Sequence, residues 1–170
     1  MKNLWQLLAC LAILVLCITV SSGQTKKKTN LKSLINQYAA NTVRVLNKRD
    51  GNDPNFKYSV SNKNTFYADV NGDGVFDAIV EIFFCETVSC HATTNSSELI
   101  VFLSKSGNYR FAASKGFRLY GKINSIEDKV IYVDVYDLEE GDPQCCPEKK
   151  RSEAYFLKGN RLVQVPNNIY

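Results

Sequence analysis

The chain has 170 residues, a formal net charge of +4, an apolar share of 45%, and nine each of Tyr and Phe. Lysines and arginines are interspersed with acidic residues rather than gathered in a stripe, so no nucleic-acid partner is expected. There is apolar and aromatic material for one packed core, no internal repeat, and no compositional sign of disorder.

Leu4 to Val20 is an apolar run broken only by Gln6 and Thr19, with Lys2 before it and Ser21, Ser22 and Gly23 after it. This is the layout of a signal peptide over residues 1–23, which predicts a periplasmic or secreted protein. The alternative is a membrane-anchored chain: the run is close to the shortest bilayer span, and Lys26 to Lys28 place more positive charge behind it than ahead of it. Contact with a membrane is expected only if the leader is retained as an anchor. A lipid anchor fits less well, because Leu16 rather than a small residue precedes Cys17. Cleavage would leave about 147 residues, enough for one core to bury roughly two-thirds of the unfolded surface.

Residues 24–30 are polar and read as a tail, and 31–170 read as a single α+β domain. Leu31, Leu34, Ile35, Tyr38, Ala39, Thr42, Val45 and Leu46 share one helical face. Strand-like runs follow at Thr65 to Val70, Ala78 to Cys85, Glu98 to Ser104, Tyr109 to Ser114, Lys129 to Asp137, Ser152 to Leu157 and Arg161 to Val165. Short turns such as Ser106-Gly107, Glu127-Asp128 and Gly159-Asn160 join some of them and suit antiparallel hairpins without crossover helices. The expected architecture is one N-terminal amphipathic helix packed on an antiparallel sheet of about six to eight strands. In Val130 to Asp137, Ile131, Val133 and Val135 alternate with Tyr132, Asp134 and Tyr136, so one face should meet the helix and the other should be amphipathic.

The most specific local signal is Asp69-Val70-Asn71-Gly72-Asp73-Gly74-Val75-Phe76-Asp77. Side-chain oxygens stand at positions one, three, five and nine, a glycine stands at position six, and the carbonyl of Val75 falls between. Ca²⁺ takes six to eight oxygens, and Asp69, Asn71, Asp73, Val75 and Asp77 supply about five, with an expected affinity in the weak range of roughly 10⁻⁴ to 10⁻³ M. Position twelve is Val80 rather than Glu, so the segment is not an EF-hand. Over these nine residues it resembles the calcium turns of integrin-type extracellular repeats. The competing reading is a hairpin loop whose aspartates cap backbone amides. No cofactor other than Ca²⁺ is expected.

Beyond the leader stand Cys85, Cys90, Cys145 and Cys146, an even number that reads as two disulfides in an exported domain. Three pairings are open. A Cys145 to Cys146 bond would carry strain, because adjacent Cα atoms lie only about 3.8 Å apart. Crossed pairing is less strained and closes loops of about 55 to 60 residues, worth about 3 to 4 kcal/mol by loop-closure entropy. A local Cys85 to Cys90 bridge beside a vicinal pair is the third arrangement. His91 follows Cys90, so a thiol-redox or soft-metal-handling protein built on the Cys145-Cys146 pair is the alternative function.

No nucleophile elbow, phosphate-binding glycine loop or H-E-x-x-H pattern is present, and Glu81, Glu86, Glu139, Glu140 and Asp142 form no recognisable catalytic pair. Asn95-Ser96-Ser97 fits the N-glycosylation pattern. The expectation is a non-catalytic binding or envelope-associated module whose Tyr132 and Tyr136 face recognises a protein or glycan.

Two segments together carry a family resemblance: Tyr67 to Val80 around the acidic turn, and Gly141-Asp142-Pro143-Gln144-Cys145-Cys146-Pro147 followed by Tyr155-Phe156-Leu157 and Gly159-Asn160-Arg161-Leu162-Val163. In order and spacing, over roughly residues 65 to 165, they resemble the LppP/LprE-type bacterial exported proteins. The resemblance implies an envelope or periplasmic location without an assigned activity. This chain departs from it in lacking a good lipobox and in carrying Cys85 and Cys90.

Overall fold

The computed structural model describes residues 30–49, 57–87, 90, 95–143 and 147–166. Helix α1 spans Leu31–Arg49, and the strands are β1 (Tyr58–Ala68), β2 (Asp77–Glu86), β3 (Asn95–Lys105), β4 (Asn108–Phe117), β5 (Tyr120–Glu127), β6 (Val130–Asp137), β7 (Lys149–Lys158) and β8 (Arg161–Gln164). Among the described residues no helix is long and apolar enough to cross a membrane, and the leader expected at 1–23 lies outside them.

The α+β class holds, with one correction: the eight strands form two antiparallel sheets of four, ordered β1-β2-β3-β4 and β5-β6-β7-β8. The physical reason lies in β2, where nine of ten residues are buried in an unbroken run. Such a strand is covered on both faces. On one face Ala78, Val80, Ile82 and Phe84 pack with Ile35, Ala39 and Leu46 of α1. On the other, Ile79 joins Leu99 and Val101 of β3 against Ile123, Ile131, Val133, Val135 and Tyr155 of the second sheet. The layers are therefore helix, first sheet, second sheet. The Ile131, Val133 and Val135 face of β6 meets the first sheet rather than the helix, because α1 occupies the opposite side of that sheet.

Each end of α1 has a chemical reason. Asn30 Oδ1 accepts the Lys32 amide at 2.9 Å, an N-cap, and Lys48 and Arg49 stand in the last turn, where the helix dipole favours cations. The hairpin turns carry left-handed residues at Ser106-Gly107 and Asp128-Lys129, as tight antiparallel connections require.

The sheets meet at a two-residue corner, Arg118-Leu119, between β4 and β5. The outer edge of β5 is the edge of the second sheet, and it lies against the inner face of the first. Its amides would be buried without partners, but two side chains reach across. Ser97 Oγ accepts the Gly121 amide at 2.7 Å and donates to the Gly121 carbonyl at 3.3 Å. Glu81 accepts the Ile123 amide on Oε1 and the Asn64 side-chain amide on Oε2, the latter at 2.8 Å. Ser97 and Glu81 are 0% and 1% exposed. Gly121 also packs so closely on Phe117 that a Cβ there would lie 2.5 Å from the ring.

Candidate functional site

The acidic turn connects β1 to β2 and is folded around its own carboxylates. Asp69 accepts the amides of Gly72, Asp73 and Gly74 at 2.7, 3.2 and 2.9 Å. Asn71 Oδ1 accepts the Asp73 amide and Asp73 Oδ1 accepts the Val75 amide. Gly72 and Gly74 adopt φ of 80° and 81°, a conformation that costs glycine little. The Gly74 amide foremost, with those of Gly72, Asp73 and Asn71, holds the Asp69 carboxyl below the usual carboxylate range.

Asp77 is placed differently from the other residues of the set. It is fully buried, with Oδ1 accepting the Ser104 amide at 2.9 Å and Oδ2 the Val70 amide at 3.3 Å. Burial raises its pKa, opposed by those two hydrogen bonds, while the charges of Asp73 and Asp69 add to the rise. Asp69, Asn71, Asp73 and the Val75 carbonyl thus remain on the loop, and Asp77 ties the loop to β3. Val75 and Phe76 are exposed beside it. The turn also has a cationic neighbour that the sequence pattern does not reveal: Nζ of Lys129, from the β5–β6 hairpin, lies 2.6 Å from where a Cβ on Gly72 would stand. Among the described residues, no three His, Cys, Asp or Glu side chains are grouped to hold a metal ion. The turn's donors are of another kind, two carboxylates, an amide oxygen and a carbonyl.

Cys85 and Cys90 are bonded to each other, with Cα atoms 5.3 Å apart, so the local bridge replaces the crossed pairings. Two residues near the end of β2 and the start of the next connection are thereby joined within one short loop, which crossed pairing would have spread over two distant segments. His91, Cys145 and Cys146 lie outside the described residues. The β6–β7 connection that carries the cysteine pair is gathered at its base by Asp142, whose Oδ2 accepts the amides of Glu139 at 3.0 Å and Glu148 at 3.2 Å. Beyond it, Lys149 pairs with Glu139, and Arg151 with Asp137 and Glu153.

Tyr132 and Tyr136 are half-buried on the outward face of β6. Tyr136 meets Tyr120 edge-on with ring centroids 5.3 Å apart, and Tyr120 stacks on Phe83 at 5.0 Å. Between the two tyrosines, Asp134 accepts hydrogen bonds from Lys150 and Ser152, both at 3.2 Å. The face therefore joins aromatic surface to an ion-paired centre.

A second concave region has no counterpart among the residues singled out in the sequence. Beyond the C-terminal end of α1 at Arg49 lies a groove of about 560 Å³. Leu46 and Arg49 of α1, Tyr58 of β1, Ser96 and Glu98 of β3, Gly116 of β4 and Arg118 beyond it line the groove. The register places Glu98 opposite Gly116, and a Cβ on Gly116 would meet nothing within 4 Å, so the missing side chain is what opens the groove there. Glu98 is desolvated, which raises its pKa, and the hydrogen bond it shares with Tyr38 works against the rise. Burial, with Glu98 adding to it, pushes the Tyr38 hydroxyl up to about 12, so it stays protonated and donates. Among the described residues, Oε2 of Glu98 is a buried oxygen with no hydrogen-bond partner.

Compared with known proteins, the chain matches no family model, no curated protein and no solved structure.

Proposed function

We propose that this chain is an exported, non-catalytic binding domain of the periplasm or the secreted milieu, braced by a disulfide and by a structural Ca²⁺ in its acidic turn. The observation that carries the reading is the Cys85–Cys90 bond, since stable disulfides belong to oxidising compartments. The signal-peptide layout of residues 1–23 and the resemblance to LppP/LprE-type exported proteins support the same location. Alkylation of the native protein before and after reduction tests it: Cys85 and Cys90 should be unreactive before reduction and labelled after it. Full labelling of both in freshly isolated, unreduced protein would refute export.

The calcium component is supported by a loop whose backbone amides already fold onto Asp69, Asn71 and Asp73, with Asp77 anchoring its exit. Chelation should lower the melting temperature, and Asp73→Ala should remove that response. Lys129→Ala, which withdraws the neighbouring ammonium, should tighten Ca²⁺ binding. A melt unaffected by both chelator and added Ca²⁺ would leave the turn as a hairpin loop.

The Tyr132 and Tyr136 face is the surface proposed for a protein or glycan partner, because aromatic rings with a polar tip suit such contacts. Partner retention that persists after both tyrosines are changed to Ala would remove that assignment. The alternative is thiol or soft-metal chemistry at Cys145-Cys146, in the β6–β7 connection between Asp142 and Glu148. Two reactive thiols there, or a bound transition metal, would support it.

A further inference from the structure

We propose that the groove beyond the C-terminal end of α1 binds a small zwitterion, with its ammonium on Glu98 and its carboxylate on Arg118. The inference rests on reading the chain as a binding domain, and it gives that domain a ligand class at a site separate from Tyr132 and Tyr136.

Size permits it: about 560 Å³ falls within the range of small-molecule sites. The chemistry of its lining sets the class. A buried carboxylate oxygen with no partner is costly unless a donor reaches it, and a cationic donor compensates most. Glu98 lines the groove, and a ligand ammonium seated there would supply the donor that Oε2 lacks. The C-terminal end of α1 adds its partial negative charge on the same side. Arg49 of that last turn also lines the groove and offsets the partial charge, so the group a phosphate or an isolated carboxylate would meet with repulsion is Glu98, while an apolar molecule would leave its carboxyl unpaired.

Arg118 is exposed and has no hydrogen bond or ion pair with another described residue. It stands two residues beyond Gly116, the partner of Glu98 in the ladder, an offset of about 7 Å at strand spacing. Backbone positions that close put both side chains within reach of one short molecule. An amino acid with its amine and carboxylate a few bonds apart, or a dipeptide, has that span.

The test uses β-alanine, γ-aminobutyrate and glycylglycine as zwitterionic probes, with propylamine and butyrate as their separated halves, titrated into the purified protein by calorimetry and ligand-observed NMR. At least one zwitterion should saturate a single site, and both halves should bind at least about tenfold more weakly. Glu98→Gln and Arg118→Gln should each weaken binding by about tenfold or more. Gly116→Leu places a side chain in open space, so it should abolish binding while leaving the melting temperature unchanged.

The absence of zwitterion binding at about 10 mM, a concentration that would nearly saturate a site with a Kd of about 1 mM, would overturn the proposal. So would butyrate binding as well as the zwitterions, which marks a simple anion site, or binding retained in the Gly116→Leu protein. Any of these results leaves the Cys85 and Cys90 labelling pattern untouched, so failure here is distinguishable from failure of the export reading.

Discussion

Replacing Ser97 by Ala probes the junction on which the arrangement of the two sheets depends. Its hydroxyl oxygen accepts the Gly121 amide at 2.7 Å and returns a hydrogen to the Gly121 carbonyl at 3.3 Å, in a place without solvent. Ala removes both bonds and offers nothing in exchange. An orphaned buried backbone group costs about 1–3 kcal/mol, so a loss of about 2 kcal/mol is expected. For a domain of this length that corresponds to a melting temperature lower by about 4–8 °C. Urea unfolding should show a lower midpoint at unchanged slope, since the surface exposed on unfolding is the same. Hydrogen exchange at the Gly121 amide should accelerate more than at amides in the centre of β6.

Glu81 supplies the companion measurement. Glu81→Gln keeps an oxygen for the Ile123 amide, and Asn64 can turn its own amide to match the new donor, so the cost should stay within about 1.5 kcal/mol. Glu81→Leu orphans the Ile123 amide and should cost about 2 kcal/mol or more. Because the two bonds hold one strand edge two residues apart, the Ser97→Ala and Glu81→Leu losses should not add. If Ser97→Ala melts like the parent and Gly121 keeps its slow exchange, the sheets are held by apolar contact alone and the reasoning fails.

Gly121→Ala pushes a methyl to 2.5 Å from the Phe117 ring; a loss of about 1–3 kcal/mol is expected, and Phe117→Leu in the same chain should recover part of it in a thermal melt. Reducing the Cys85–Cys90 bond opens a loop of five residues' separation, so stability should fall by about 2 kcal/mol while far-ultraviolet circular dichroism at 20 °C, roughly the temperature of maximum stability, stays unchanged. The Asp69 carboxyl titrates below its ordinary value because it accepts backbone amides. Its stabilisation is therefore present above the unfolded-state value and lost as pH falls through the folded-state value. Asp69→Asn should flatten that acid limb of the melting curve; an unchanged pH profile would show that its bonds do not distinguish the ionised form.

Much of the scaffold is written plainly in the residues. The helical spacing from Leu31 to Leu46 and the alternation of Ile131, Val133 and Val135 correspond to α1 and β6, and Gly107, Asp128 and Gly159 mark real turns. β5 is the strand that pattern reading passes over. Its stretch Tyr120-Gly-Lys-Ile-Asn-Ser-Ile-Glu has few apolar positions, and a register shift between Ile123 and Ser125 breaks the two-residue period. The division into two sheets is hidden for a related reason: a series of hairpins looks the same whether it extends one sheet or turns a corner at Arg118-Leu119. Ser97 reads in sequence as the third residue of a glycosylation pattern, and Glu81 as one carboxylate among many. Their joint role depends on a contact made across more than twenty residues of chain. The groove is equally silent, since Gly116 gains meaning only from where α1 stops.

The order of the strands bears on how such a chain would be delivered. Each sheet is a run of neighbours, so every ladder closes between segments adjacent in sequence, which favours rapid local folding. A polypeptide emerging amino end first can complete α1 and its sheet before β6 is available. Until then Ile79, Leu99 and Val101 face water on one side, an adhesive surface in any chain halted early. Truncation ahead of Tyr120 should therefore yield aggregates rather than a smaller soluble domain, making the last fifty residues a built-in cover for the first half.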